Sequence, residues 1–143
     1  MNQNELRIGN FVSAKTTSET FNIVCEIGDG GSGRGWYVRL ENVNHGVWLE
    51  HNDNFLIEGI EITEKWLIKL GFTCDWSKIY TKRIEENSFE LRFDKTDKII
   101  VLDVNINYEE TSLEFKHIKY IHQLQNLYFA LVNSELQLLK ADL

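Results

Sequence analysis

The stretch Ile62-Thr63-Glu64-Lys65-Trp66-Leu67-Ile68-Lys69-Leu70-Gly71-Phe72 carries start and stop signals for one short helix. Thr63 is placed to cap it, Ile62 before the cap and Leu67 within it form a hydrophobic staple, and Gly71 supplies a left-handed stop that lets Phe72 fold back on Leu67. Trp66, Leu67 and Leu70 are its expected buried face. On both sides of this stretch apolar residues recur with a period of two, so the helix interrupts a chain of strands and the fold class reads as α+β.

Upstream, Leu6 to Val12 is a strand candidate broken at Gly9-Asn10. Phe21, Ile23, Cys25 and Ile27 alternate, as do Trp36, Val38 and Leu40, and Val47 with Leu49 repeats the pattern. Strands this short and closely spaced predict a small SH3-like, barrel-like part over residues 1–59. Downstream, strands are expected near Ile79 to Ile84, Phe89 to Phe93, Ile100 to Tyr108 and Leu113 to Phe115, with Asp94 to Lys98 as a hairpin turn. A second helix follows over about Ile118 to Val132, its stripe made by Tyr120, Ile121, Leu124, Leu127, Tyr128 and Leu131. Asn133 tolerates the left-handed conformation and is the expected stop, with Glu135 to Leu139 as an edge strand or tail. Residues 60–143 therefore read as an antiparallel sheet packed by two helices, forming one compact unit with the N-terminal part.

At 143 residues, with 43% hydrophobic and 26% charged residues, the chain can bury a core without staples. Net charge is −7 and neither half is basic, with four Lys/Arg against eight Asp/Glu in residues 1–59 and eleven against fourteen beyond. Nucleic-acid affinity comes largely from Lys and Arg on phosphates, so direct nucleic-acid binding is disfavoured and a basic protein partner fits better. Cys25 and Cys74 have neither metal nor scaffold spacing and read as reduced, buried thiols. With no signal-like or membrane-spanning run, the expected compartment is the cytoplasm.

Gly28-Asp29-Gly30-Gly31-Ser32-Gly33-Arg34-Gly35 holds five of the nine glycines between two strands. Phosphate loops run from a strand into a helix, and here a strand follows, so a hairpin tip is the simpler reading. Arg34, Trp36 and Tyr37, with Arg39 facing outward, are then the expected contact residues, a guanidinium beside aromatics being the usual anchor composition. Trp36, Trp48, Trp66, Trp76, Tyr37 and Tyr80 could build a stacking platform, but the one basic run, Lys78, Lys82 and Arg83, is followed at once by Glu85 and Glu86.

His45, His51, His117 and His122 lack helical ligand spacing and read as surface or capping residues, so no metal and no cofactor is expected. Glu85-Glu86, Glu109-Glu110 and Asp94 with Asp97 lie at or beside turns and read as solvated. There is no GxSxG elbow, and burial of Cys25 would raise its pKa and quench it. No catalytic residue is nominated, and the chain reads as a binding protein, not an enzyme.

Leu6-Arg7-Ile8-Gly9-Asn10, the helix segment from Ile62 to Phe72, and His122-Gln123-Leu124-Gln125-Asn126-Leu127-Tyr128-Phe129-Ala130-Leu131 together resemble a family of small uncharacterised proteins of Bacteroidota, often in prophages and mobile elements. The family often has Pro before the helix and Thr-Gly after the last one, where this chain has Glu61 and Asn133-Ser134. The resemblance carries no catalytic residues. It implies an accessory protein that binds and inhibits or modulates a host defence effector, such as a CRISPR nuclease or other nucleic-acid-binding enzyme, through complementary charge. The alternatives are a module that sequesters a nucleotide signal with the glycine loop, and a nucleic-acid-associated accessory protein.

Overall fold

A computed structural model describes residues 3–14, 21–29, 35–42, 46–51, 57–84, 89–106 and 109–139. It has α+β architecture in two compact units, one made of Met1–Glu61 with Tyr120–Ala130 and the other of Ile62–Lys119 with Leu131–Leu143. The expectation that the second helix packs the second sheet is corrected: most of it, Tyr120–Ala130, belongs with the N-terminal strands.

The first unit contains strands β1 (Phe11–Ala14), β2 (Asn22–Asp29), β3 (Trp36–Asn42), β4 (Gly46–His51) and β5 (Ile57–Gly59). They form an antiparallel sheet in the order β4-β3-β2-β1-β5. Among the described residues β4 does not pair with β5, so the sheet is open and not a closed barrel. Its core is Leu6, Val12, Ala14, Val24, Val38, Leu40 and Ile57, with Ile27 and Trp36 packed against it.

The phase of β2 differs from the expected Ile23/Cys25/Ile27 alternation. Asn22 and Val24 are fully buried, and the register slips between Val24 and Glu26 before Ile27 meets the core. A bulge at Cys25 accommodates the extra residue, which a strict period of two cannot express. Asn22 tolerates burial because its Nδ2 donates to Val12 O (3.4 Å) and its Oδ1 accepts from Asn42 Nδ2 (3.0 Å).

Helix α2 (Ile121–Val132) begins three residues later than expected, because Tyr120 is first used in a bridge with Glu61. Tyr120 then serves as the N-cap position, and the Gln123 side chain reaches back to accept its N–H (3.2 Å). Gln125 explains why the helix joins the first unit: Oε1 accepts the Phe11 N–H (2.8 Å) and Nε2 donates to Gly9 O (3.1 Å). Asn126 adds a bond from Nδ2 to Glu5 O (2.7 Å) and accepts from Asn10 Nδ2 (3.0 Å), while the Arg7 guanidinium lies 3.7 Å from the Phe129 ring centre. The helix is anchored by polar side chains outside the apolar stripe. It ends at Asn133, whose φ of 51° is left-handed as expected.

In the second unit, helix α1 (Glu64–Lys69) is capped by Thr63 and closed by Gly71 at φ 79°, with Phe72 N–H bonded to Leu67 O and Gly71 N–H to Ile68 O. Leu67, Leu70 and Phe72 are buried, whereas Trp66 is only half-buried. Strands β6 (Thr73–Cys74), β7 (Tyr80–Ile84), β8 (Phe89–Asp94), β9 (Ile99–Ile106) and β10 (Glu109–Phe115) follow as an antiparallel meander, in the order β10-β9-β8-β7-β6. The Asp94 to Lys98 turn is as expected, with Asp94 Oδ1 accepting Thr96 N–H at 2.8 Å. β5 and β6, three and two residues long, were below the length at which alternation is visible. Residues 135–139 form no strand; Leu136 is buried, and Leu139 N–H is bonded to Lys69 O (2.8 Å). Strand β10 lies at the sheet edge with six of its seven residues exposed, among them Glu109, Glu110 and Glu114.

Candidate functional site

The alternation of β3 sends Val38 and Leu40 into the core, and Trp36 follows them on the same side. Trp36, one of the expected contact residues, is therefore half-buried against the core. Tyr37 and Arg39 occupy the outward face. Both turn to Glu26 on β2, the Tyr37 hydroxyl donating to Oε1 at 2.5 Å and Arg39 Nε lying 3.2 Å from Oε2. The hydrogen bond to Glu26 raises the Tyr37 pKa, so the phenol stays protonated. Tyr37 covers Gly28, its cross-strand partner, where a Cβ would come within 2.6 Å of the ring. Of the four expected contact residues the structure thus joins Tyr37 and Arg39, turns Trp36 inward, and leaves Arg34 outside the described residues, together with Gly30 to Gly33.

A second surface feature arises in the other unit. The turn after β6 is fixed by Asp75, whose Oδ1 accepts from Ser77 N (2.9 Å), Ser77 Oγ (2.6 Å) and Ile79 N (3.1 Å). Those bonds hold its carboxyl pKa below the usual carboxylate range. At the tip of this tied turn Trp76 is 96% exposed. The basic run read beside it is partly spent, since Lys82 points inward between Tyr80 and Ile84 and its Nζ donates to Leu70 O (2.9 Å). Burial lowers the Lys82 pKa.

Two clefts remain. One, of about 510 Å³ over β7 to β10, has Asp103 bound by Arg92 Nε at 2.9 Å and by Ser112 Oγ at 2.5 Å, and Arg83 lies 3.8 Å from Glu90. The other, of about 460 Å³ in the first unit, is lined by Glu5, Ile57, Glu58, Gly59, Glu61, Tyr120 and His122. Its placement follows from the start of α2: Tyr120 and His122 stack with ring centres 5.8 Å apart over Gly59, where a Cβ would lie 2.6 Å from Tyr120 and 3.1 Å from His122.

No family model, no curated protein and no solved structure matches the chain. The residues therefore have to speak through their geometry alone.

His122, expected at the surface or in a cap, is only 1% exposed, and neither ring nitrogen has a hydrogen-bond partner among the described residues. Its nearest ionic neighbour is Glu5, with Nε2 and Oε2 3.7 Å apart, beyond hydrogen-bonding distance. Burial pushes the imidazole pKa down against the opposing pull of Glu5. A buried polar group left unsatisfied costs roughly 1–3 kcal/mol. Sequence pattern missed this residue because it lies one step off the apolar stripe, beside Ile121, and no local signal marks a buried imidazole.

The cysteines also depart from expectation: Cys25 is half-buried and Cys74 exposed. Burial followed by the nearby Glu41 raises the Cys25 pKa. Among the described residues no group of three or more His, Cys, Asp or Glu is arranged to hold a metal ion, and no helix is long and apolar enough to cross a membrane.

Proposed function

We propose that this chain is a non-catalytic docking protein that works by binding another protein. The observation that carries the reading is Trp76, 96% exposed on a turn whose backbone Asp75 fixes. A tryptophan held out in water by an ordered turn loses little conformational freedom on contact and gains much from burial, which is how interface anchors behave. Tyr37 and Arg39, held by Glu26, supply a second prearranged aromatic and guanidinium pair. The net charge of −7 favours a partner with a basic surface.

On the resemblance to mobile-element proteins, the partner is a host defence effector in the cytoplasm, a CRISPR nuclease or another nucleic-acid-binding enzyme, which this chain inhibits or modulates. The strand order of the first sheet, a meander whose fifth strand returns beside the first, supports an SH3-like architecture for that part. The decisive assay is plasmid interference in a bacteroidotal host carrying an active CRISPR nuclease. Expression of the chain should restore plasmid survival, and Trp76→Ala or Arg39→Glu should remove the effect at unchanged protein level. Unaltered interference, with no host protein captured by the purified chain, would reject the reading.

A further inference from the structure

We propose that the open edge of the second sheet, strand β10, is a docking strip on which an extended segment of the partner protein, with basic residues four apart, adds as a further antiparallel strand. This rests on the docking reading above and names the surface and the mode of contact.

Backbone chemistry carries the proposal. Strand β10 pairs with β9 along its whole length, from Glu109 opposite Ile106 to Phe115 opposite Ile100, and among the described residues no other strand lies beside it. An antiparallel neighbour takes the N–H and C=O groups of every second residue, so the alternate groups of an edge strand point away from the sheet into water. The other hydrogen bonds and ion pairs of Glu109 to Phe115 are local: Ser112 Oγ to Asp103, Glu114 to Lys116, and the Phe115 carbonyl accepting the Ile118 N–H. The opposite edge, β6, is two residues long and offers no comparable ladder.

Side chains give an independent sign of a missing neighbour. Residues opposite one another share a face, and Leu91, Leu102 and Leu113 stand in one row across β8, β9 and β10. Leu91 and Leu102 are buried and Leu113 is half exposed, so the apolar row runs out where one more strand would cover it. The other face of β10 presents Glu110, Ser112 and Glu114. Glu114 is met by Lys116 at 3.2 Å, whereas Glu110 forms no ion pair among the described residues.

Charge then selects the occupant. A second copy of β10 laid antiparallel about Ser112 sets Glu110 against Glu114 of the other copy twice over, and like charges directly opposite are unfavourable. A foreign strand with lysine or arginine at those two places gains at both, and its intervening apolar residues cover Thr111 and Leu113 on the buried face. The segment that fits therefore reads basic-apolar-polar-apolar-basic, the complement of Glu110-Thr111-Ser112-Leu113-Glu114. It belongs to the basic kind of surface that the acidic chain favours.

The test is a hydrogen-exchange NMR titration of the full chain with acetyl-Gly-Lys-Val-Thr-Val-Lys-Gly-amide. Saturable binding is expected, with exchange slowed at every second amide between Glu109 and Phe115 and unchanged on β6, the pattern of strand addition. Methylated peptide nitrogens separate a strand from a ligand held by charge alone: methylation of both valines, or of both lysines and the threonine, should abolish binding in one of these phases and spare it in the other. The counterpart with glutamate for both lysines should bind at least about tenfold more weakly, and Glu110→Lys should remove most of that preference. Glu110 is exposed; should the variant prove unfolded by circular dichroism, the methylated peptides on the unmodified chain still decide. Absence of saturable protection on β10, equal binding of the two methylated peptides, equal binding of the lysine and glutamate peptides, or self-association of the unmodified chain through β10 would each overturn the proposal. No partner protein enters this titration and Trp76 lies off β10, so its failure leaves the Trp76-dependent interference effect intact. A chain that binds the peptide yet never alters interference would sink the docking reading instead.

Discussion

Two glycines face aromatic rings on neighbouring strands or turns, yet they respond differently to a methyl group. At Gly59 a Cβ would meet Tyr120 Cγ at 2.6 Å and Cδ1 at 2.7 Å, the base of a ring stacked on a buried imidazole. Gly59→Ala is expected to destabilise the fold by about 1–3 kcal/mol in urea unfolding, the usual cost of overpacking. At Gly28 the intruded atoms are the far end of Tyr37, which can swing out at the expense of its bond to Glu26. Gly28→Ala should therefore cost about 1 kcal/mol or less. His122 gives a pH dependence with a definite sign. Its pKa in the folded chain is lowered from 6.5, chiefly by burial, so between the two values the unfolded chain binds more protons. The stabilisation is complete above about pH 6.5 and is lost as pH falls from there toward the lower folded value. Urea midpoints from pH 7.5 to 5 should decline, and His122→Gln should flatten the decline. None of this was legible beforehand: glycine in a strand and histidine in a helix carry no mark of what a distant ring will do.

The element that could be read most fully is α1, because its signals are local. Thr63 and Gly71 each occupy the backbone state that their chemistry prefers, and the Phe72 N–H returns to Leu67 O. Thr63→Ala is expected to cost about 0.5–1 kcal/mol, at the lower end for a cap bond of 3.4 Å. Gly71→Ala, forcing a side chain to φ 79° with its Cβ 2.9 Å from Lys82 Nζ, should cost about 1–2 kcal/mol. Both are measurable by chemical denaturation, and the order of the two losses tests the assignment. Asn133 and the Asp94 turn were legible for the same local reason. By contrast, the phase of β2 depended on a bulge at Cys25, the start of α2 on a bridge to Glu61, and the docking of α2 on Gln125 and Asn126. Each is a partnership across the chain, and periodicity within one segment contains no information about it. The segments around Arg7-Asn10 and Gln125-Asn126, far apart in sequence, are likewise bound to one another.

At the scale of the whole molecule, periodicity indicated the α+β class and composition an acidic chain able to bury a core without staples, while the second helix was assigned to the second sheet and belongs with the first. Of the candidate contact residues, alternation turned Arg39 outward, while Trp36, in phase with Val38 and Leu40, is half-buried against the core. Trp76 was in view among six aromatics, with nothing in the sequence to separate an anchor from a core residue. Charge also guards the molecule against itself. Strand β10 pairs only with β9 among the described residues, and its open flank carries Glu109, Glu110 and Glu114 beside an exposed Leu113. Exposed edges recruit further strands unless charge deters them. Glu110→Val with Glu114→Val should leave circular dichroism native at low concentration, while light scattering reports association as concentration rises. Colloidal behaviour here is thus decoupled from folding energy, so a lineage under pressure only to keep its shape could drift into filaments without any warning in its melting temperature.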